Sequence, residues 1–259
     1  MDLKSIIGIA HVGLLCLSVD AVGAVLAINP TKDNTIYRES PENSNGLGPG
    51  IFVGNNANSD QATRRALIAF DVSSIPAGSV INSVSLQLYL GQENTGKPPL
   101  AVTMHALTVD WGQGTSATGG PISGGGGGTP ATTGDATWDR RFYDVTPWTT
   151  AGGDFTAAAS ASALVGAEGS FYSWSSALLS SNVQAWVDQT APNYGWLLRG
   201  DETVARTAKR FDSGESATPN QRPLLTINYT VPEPAGLAIL ACTAVIGLRR
   251  RRWDCGAIA

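Results

Sequence analysis

The run Val84-Ser85-Leu86-Gln87-Leu88-Tyr89-Leu90 alternates large aliphatic residues with polar or amphipathic ones. A period of two suits an extended strand with one face buried, because successive side chains point to opposite sides. Ala66–Phe70, Leu100–Leu107, Tyr194–Arg199, Arg206–Phe211 and Leu224–Tyr229 read the same way, and clusters of Gly, Pro, Asn and Ser bound them. Only Ala177–Val187 has helical spacing, with Val183, Trp186 and Val187 at i, i+3 and i+4. Short strands with one brief helix predict an all-β fold, an antiparallel β-sandwich of jelly-roll type. The alternating helices of an α/β chain are missing. Two long connections interrupt the rhythm. Gly112–Thr133 contains Gly124–Gly128 and is too glycine-rich to bury a core, so it is predicted to be mobile. No Lys-Ser/Thr follows those glycines and no helix starts there, which argues against a phosphate cradle. Gly152–Gly169 is the second connection, rich in Ala and Ser.

Both ends read as addresses. Lys4, the apolar run Ile6–Leu17 and the small-residue sites Val22-Gly23-Ala24 and Val25-Leu26-Ala27 predict a signal peptide over residues 1–27, cut after Ala24 or Ala27. Leu15 before Cys16 is too large for lipoprotein processing. At the other end stand Pro232, Glu233 and Pro234, then the apolar stretch Ala235–Leu248, then Arg249, Arg250, Arg251 and Arg252. As a helix that stretch rises only about 21 Å, short of the roughly 30 Å hydrocarbon core. It therefore suits a transient anchor, with the arginines held on the cytoplasmic side. This order of parts resembles a PEP-CTERM sorting signal over residues 232–259, with residues 235–248 as its membrane segment. The resemblance implies an exosortase-type processing enzyme as partner and transient anchoring in the inner membrane. The destination it implies is secretion, at the cell surface or outside the cell.

Residues 28–231 remain as one domain. The formal net charge of the chain is −4, even with the arginine block of the tail included, which argues against a nucleic-acid partner. Cys16, Cys242 and Cys255 all lie in the ends. The domain is therefore expected to have no disulfide framework and no thiolate site.

Eight pieces of this domain resemble, in order, DNRLRE-type domains, which are related to carbohydrate-binding module family 96. After Asp33-Asn34-Thr35-Ile36-Tyr37-Arg38-Glu39 come Arg65–Asp71, Ile81–Leu90, Gly134–Trp138, Val183–Trp186, Asn193–Arg199, Arg210–Glu215 and Arg222–Tyr229. The resemblance implies a jelly-roll sandwich that binds polysaccharide, sometimes appended to polysaccharide-degrading enzymes. One departure stands after Trp111, where Gly112-Gln113-Gly114 replaces an acidic residue.

Catalytic chemistry is poorly supplied. The domain has one histidine, His105, within a strand pattern, and no nucleophile elbow or HExxH motif. Asp201 and Glu202 are adjacent and point apart on an extended chain, so they suit a turn better than a glycosidase pair. Aromatic rings stack on sugars, and Trp111, Trp138 and Trp148 flank loops, which makes them the ligand candidates. Trp186 falls on the helix stripe and is expected in the core, while Trp196 is compatible with either face.

Period two also sets Arg65 and Arg210 opposite Ile68, Phe70 and Phe211, with Arg199 joining them if Trp196 and Leu198 pack inward. Three guanidiniums on one face would grip the carboxylates or sulfates of an acidic polysaccharide; the plainer reading is a solvated face with local ion pairs. Asp33, Asn34 and Glu39 near one end of the domain, with Asp212 and Glu215 near the other, are candidate ligands for a structural calcium ion if the terminal strands meet. The sequence thus predicts an exported, non-catalytic carbohydrate-binding protein of the exopolysaccharide matrix. A structural or adhesive matrix protein is the first rival, and a polysaccharide lyase or hydrolase the second.

Overall fold

A computed structural model describes residues 22–56, 62–93, 98–118 and 126–232. The expected leader up to residue 21 lies outside the described residues, as does the tail with Glu233, Pro234 and Arg249 to Arg252.

Among the described residues, fifteen strands and one α-helix follow in chain order. The first seven strands are β1 (Val22–Ile28), β2 (Lys32–Tyr37), β3 (Asn43–Ser44), β4 (Gly50–Asn55), β5 (Thr63–Ala69), β6 (Val80–Glu93) and β7 (Leu100–Ala106). Three short pieces come next: β8 (Thr129–Pro130), β9 (Arg140–Phe142) and β10 (Thr146–Pro147). Then come β11 (Ala161–Val165), β12 (Ser170–Ser175), α1 (Ala177–Val187), β13 (Trp196–Arg199), β14 (Lys209–Asp212) and β15 (Leu224–Val231). The main sheet runs β1-β15-β6-β14-β4-β5-β13-β7-β11, with β12 also on β6 and β2 also on β5. From β15 to β11, and for β12 and β2, its strands pair antiparallel. The expected cleavage sites after Ala24 and Ala27 fall within edge strand β1.

β4 curls the sheet. Its first residues pair with β14, and its last two, Gly54 and Asn55, pair with β5. At this handover Gly54 has a φ of 93°, and a Cβ there would come within 2.7 Å of the Thr207 carbonyl oxygen. Only glycine fits both demands. Side chains from both halves of the curled sheet then meet in one apolar cluster. It includes Ile51, Ile68, Leu86, Leu88, Met104, Trp174, Trp196 and Phe211. The alternation of β6 supplies Val84, Leu86, Leu88 and Leu90 to it, as the period predicts.

The helix occupies the predicted residues. Ser176 caps it by accepting a hydrogen bond from the Leu179 amide at 2.9 Å, and Leu179, Val183, Trp186 and Val187 form its buried stripe. Gln184 fastens it to the start of β6, accepting from the Ile81 amide and donating to the Ser79 carbonyl. Trp186 and Trp196 meet at a centroid distance of 4.5 Å, so both belong to the core. Among the described residues, no helix is long and apolar enough to cross a membrane.

One expectation about loops needs correction, and the other is described only at its ends, residues 119–125 lying outside the described residues. The Ala- and Ser-rich connection over residues 152–169 contains β11, paired with β7 along its whole length. The described ends of the connection over residues 112–133 are tightly held. The Gly112 amide donates to the Arg141 carbonyl, the Thr115 amide donates to Asp135, and the Thr132 amide donates to the other oxygen of the same carboxylate. A Cβ on Gly112 would collide with the Gly134 carbonyl, so this glycine serves a close approach of two chains.

Candidate functional site

The strands β5, β13 and β7 are covered on both faces. Ile68, Trp196, Leu198 and Met104 point into the main cluster. On the other side Leu67, Leu197 and Ile36 meet a second cluster built by the segment after β7, from Leu107, Trp111, Ala136, Trp138 and Trp148. The three tryptophans expected at a sugar platform are therefore buried, Trp111 to 1% exposure. The indole of Trp111 donates to the Tyr194 carbonyl and that of Trp148 to the Thr137 carbonyl, so their polar edges are used internally. Trp138 is overlaid by the Arg65 guanidinium at 4.9 Å. None of these rings offers an open face for stacking.

Arg65 and Arg199 do share a face, as directly opposed residues of β5 and β13. The turn after β13 places Glu202 between them. Arg65 donates to Oε1 at 2.7 Å and Oε2 at 3.0 Å, and Arg199 donates to the same two oxygens at 3.2 and 2.8 Å. The third contact of Arg65 goes to the Gly152 carbonyl at 2.7 Å. Burial on its own would raise the Glu202 carboxyl, but the hydrogen bonds and charges of both arginines outweigh it and hold the group below its ordinary pKa. Asp201 instead caps its own turn through the Thr203 and Val204 amides. The local ion pairs of Arg65 and Arg199 are thus made by Glu202.

Phe155 lies beneath both guanidiniums, 5.4 Å from that of Arg65 and 5.6 Å from that of Arg199. It also borders an open cleft of about 390 Å³ whose walls include Thr108, Thr149, Thr150 and Asp154. The Arg199 side chain is 34% exposed against 13% for Arg65, so Arg199 is the guanidinium available to a ligand. His105 packs edge-on against Phe155 and uses both ring nitrogens, on Thr156 and Thr103. Its pKa is lowered, first by burial and then by the two arginines, although backbone contacts partly offset this. A neutral structural imidazole results.

Arg210 does not join this group, which corrects the three-arginine face. It lies in β14, between β4 and β6, across the β4 handover from β5 and β13. It donates to Asp212 at 3.0 Å and to the Pro49 carbonyl at 2.9 Å. Its guanidinium lies flat over Gly50 and Gly91, where a Cβ would meet it at 2.4 and 2.7 Å. Period two gave its outward direction, but not which part of the curled sheet it would occupy.

The five calcium candidates divide. Glu39 follows the far end of β2 and is held by the buried Arg64 at 2.8 and 2.9 Å. Asp212 is engaged by Arg210 and by the Ser216 hydroxyl. The Asn34 carboxamide oxygen accepts from the Thr35 and Asn45 amides and the Ser44 hydroxyl. These three are therefore spent on structure. Asp33 and Glu215 do meet. Asp33 is 1% exposed and accepts from the Gly214 amide at 2.7 Å through Oδ2, while its Oδ1 is buried without a donor. Glu215 accepts from Gln113 at 2.8 Å through Oε1, and its Oε2 is likewise buried without a donor. Burial above all, and then the facing Glu215, push the Asp33 carboxyl well above its ordinary pKa. Gln113, which replaces the acid expected after Trp111, thus spans from the Gly46 carbonyl to Glu215.

The comparison with curated proteins finds no match. Residues 24–118 match the family model described as Carbohydrate-binding module family 96. That stretch runs from β1 through β7 and holds Asp33, Arg65, Trp111 and Gln113, while Arg199, Glu202 and Glu215 lie beyond it. Over this stretch the chain is similar to a carbohydrate-binding module.

Proposed function

We propose that the domain is a non-catalytic glycan-binding module of an extracellular matrix, exported by its leader and sorted by its PEP-type tail. The observation that carries the binding role is the match of residues 24–118 to a carbohydrate-binding module family. The ligand is placed at the cleft beside Phe155, where threonine hydroxyls and Asp154 line the wall and Arg199 supplies the accessible positive charge. Two guanidiniums face the one Glu202 carboxylate, and Asp154 on the cleft wall offsets their excess charge, so the preference for uronate or sulfated chains rests on the exposed Arg199 itself. A binding role in place of catalysis is supported by the state of the carboxylates. Glu202 is clamped by two arginines, Asp33 is buried, and the Glu215 oxygen without a donor is buried as well.

Affinity electrophoresis of the protein in gels containing polyuronate or neutral glucan tests this. Wild type should be retarded by the polyuronate, less so as salt rises, and Arg199→Ala should migrate freely while melting near wild type. The complete pairing of Arg199 with Glu202 favours one rival, a structural matrix protein without sugar specificity. Equal migration of both proteins in every gel would establish that rival.

A further inference from the structure

The junction around Asp33 holds negative charge that the protein does not match. Asp33 begins the β2 motif, Glu215 sits in the turn after β14, and Gln113 belongs to the connection after Trp111. The Asn43–Gly50 segment closes around them, with Gly46 bound to Gln113 and Gly48 bound to Ser213. Four stretches of chain distant in sequence therefore converge on two facing carboxylates. Each carboxylate has one oxygen committed to a donor and one buried oxygen with none. Such orphan acceptors are costly for a folded chain unless something fills the space between them. Among the described residues, no lysine or arginine pairs with either group.

We propose that Asp33 and Glu215 bind a hard divalent cation, calcium in the first place, which cross-links these four segments. The two carboxylates neutralise a doubly charged ion, and Gln113 adds an amide without adding charge. The local donors are oxygen and amide groups, with neither thiolate nor imidazole in contact, the chemistry of calcium and not of zinc. Asp33 Oδ1 and Glu215 Oε2 become ligands, while Gly214 and Gln113 hold the opposite oxygens and so orient both carboxylates. The rival occupant is a single proton shared by the two carboxyls, which needs no metal.

The test uses the full chain, stripped with chelator and then titrated with calcium chloride, and read by calorimetry and thermal melting. Wild type should take up one ion per chain, and its midpoint should climb steadily with calcium concentration as mass action requires. Magnesium, which demands a tighter octahedral shell, should act more weakly. Asp33→Asn and Glu215→Gln should each weaken calcium binding by about 10-fold or more. In chelator, Glu215→Gln should melt cooperatively at or above the wild-type midpoint, which shows that it folds. Superimposable wild-type melts with and without calcium, together with no heat of binding, would overturn the proposal in favour of the shared proton. Calcium binding undiminished in both variants would overturn it too, by placing the ion elsewhere. Neither readout involves glycan, so failure here is separate from failure of the binding-module reading.

Discussion

Two buried carboxylate sites in this molecule solve opposite problems. At Glu202 one carboxylate faces two guanidiniums, all four hydrogen bonds are made, and its pKa is held down. At Asp33 and Glu215 two carboxylates face each other, each with an orphan oxygen, and the Asp33 pKa is driven up. The first site is complete within the chain and has positive charge to spare; the second lacks a positive partner. The difference lies in charge balance: the first cluster satisfies its carboxylate from within the chain and leaves Arg199 partly exposed, while the second leaves two oxygens without a donor.

The largest expected effect is at the complete site. Glu202→Ala strips both arginines of their acceptor and should cost about 3–5 kcal/mol in urea unfolding. A loss below about 1 kcal/mol would mean that the cluster behaves as solvated surface, and the contrast between the sites would collapse. The pH dependence sharpens the same point. Because the folded pKa of Glu202 lies below its unfolded value, its stabilisation is present above the unfolded pKa and is lost as pH falls through the folded one. The stability gap between wild type and Glu202→Gln should therefore narrow on acidification below about pH 4, and a gap that widens would refute the assignment. At the unmatched site the sign reverses. In chelator, Glu215→Gln should gain roughly 1 kcal/mol by relieving an unsatisfied buried charge, and a clear loss would show that the two carboxyls already satisfy each other. The smallest effect belongs to Arg199→Ala. Its side chain is a third exposed, so the loss should stay within about 1 kcal/mol, while glycan retardation disappears.

Much of the fold was legible because its signals are local. The helix boundaries follow from a capping serine and a stripe at helical spacing, and β6 follows from its alternation. The strands β11 and β12 were hidden because Ala-Ser-Ala-Leu-Val and Ser-Phe-Tyr-Ser-Trp-Ser mix small and polar residues on both faces. The candidate site was legible only in part. That Arg65 and Arg199 share a face follows from strand parity, whereas Asp33 and Glu215 come together without pairing of their own strands, since β2 lies on β5 and Glu215 follows β14. The fates of Glu39, Asp212 and the three tryptophans depend on what covers each face of a curled sheet. Residue spacing alone does not carry that information. The clearest missed signal is the buried Arg64 beside Arg65, consecutive strand residues on opposite faces that require two separate acceptors, Glu39 and Glu202.

Double-sided burial has one more consequence. In an ordinary half-buried strand, sliding by one residue turns the apolar face to water, and that penalty fixes how strands align. Ala66-Leu67-Ile68-Ala69 and Trp196-Leu197-Leu198 are apolar on both sides, so the penalty is weak there. An electrostatic term marks the native alignment: Arg199 stands opposite Arg65 and both guanidiniums reach the Glu202 carboxylate, whereas a slide of one residue would turn Arg199 to the other face. The cluster acts as an index mark, selecting one pairing from several of similar hydrophobic energy.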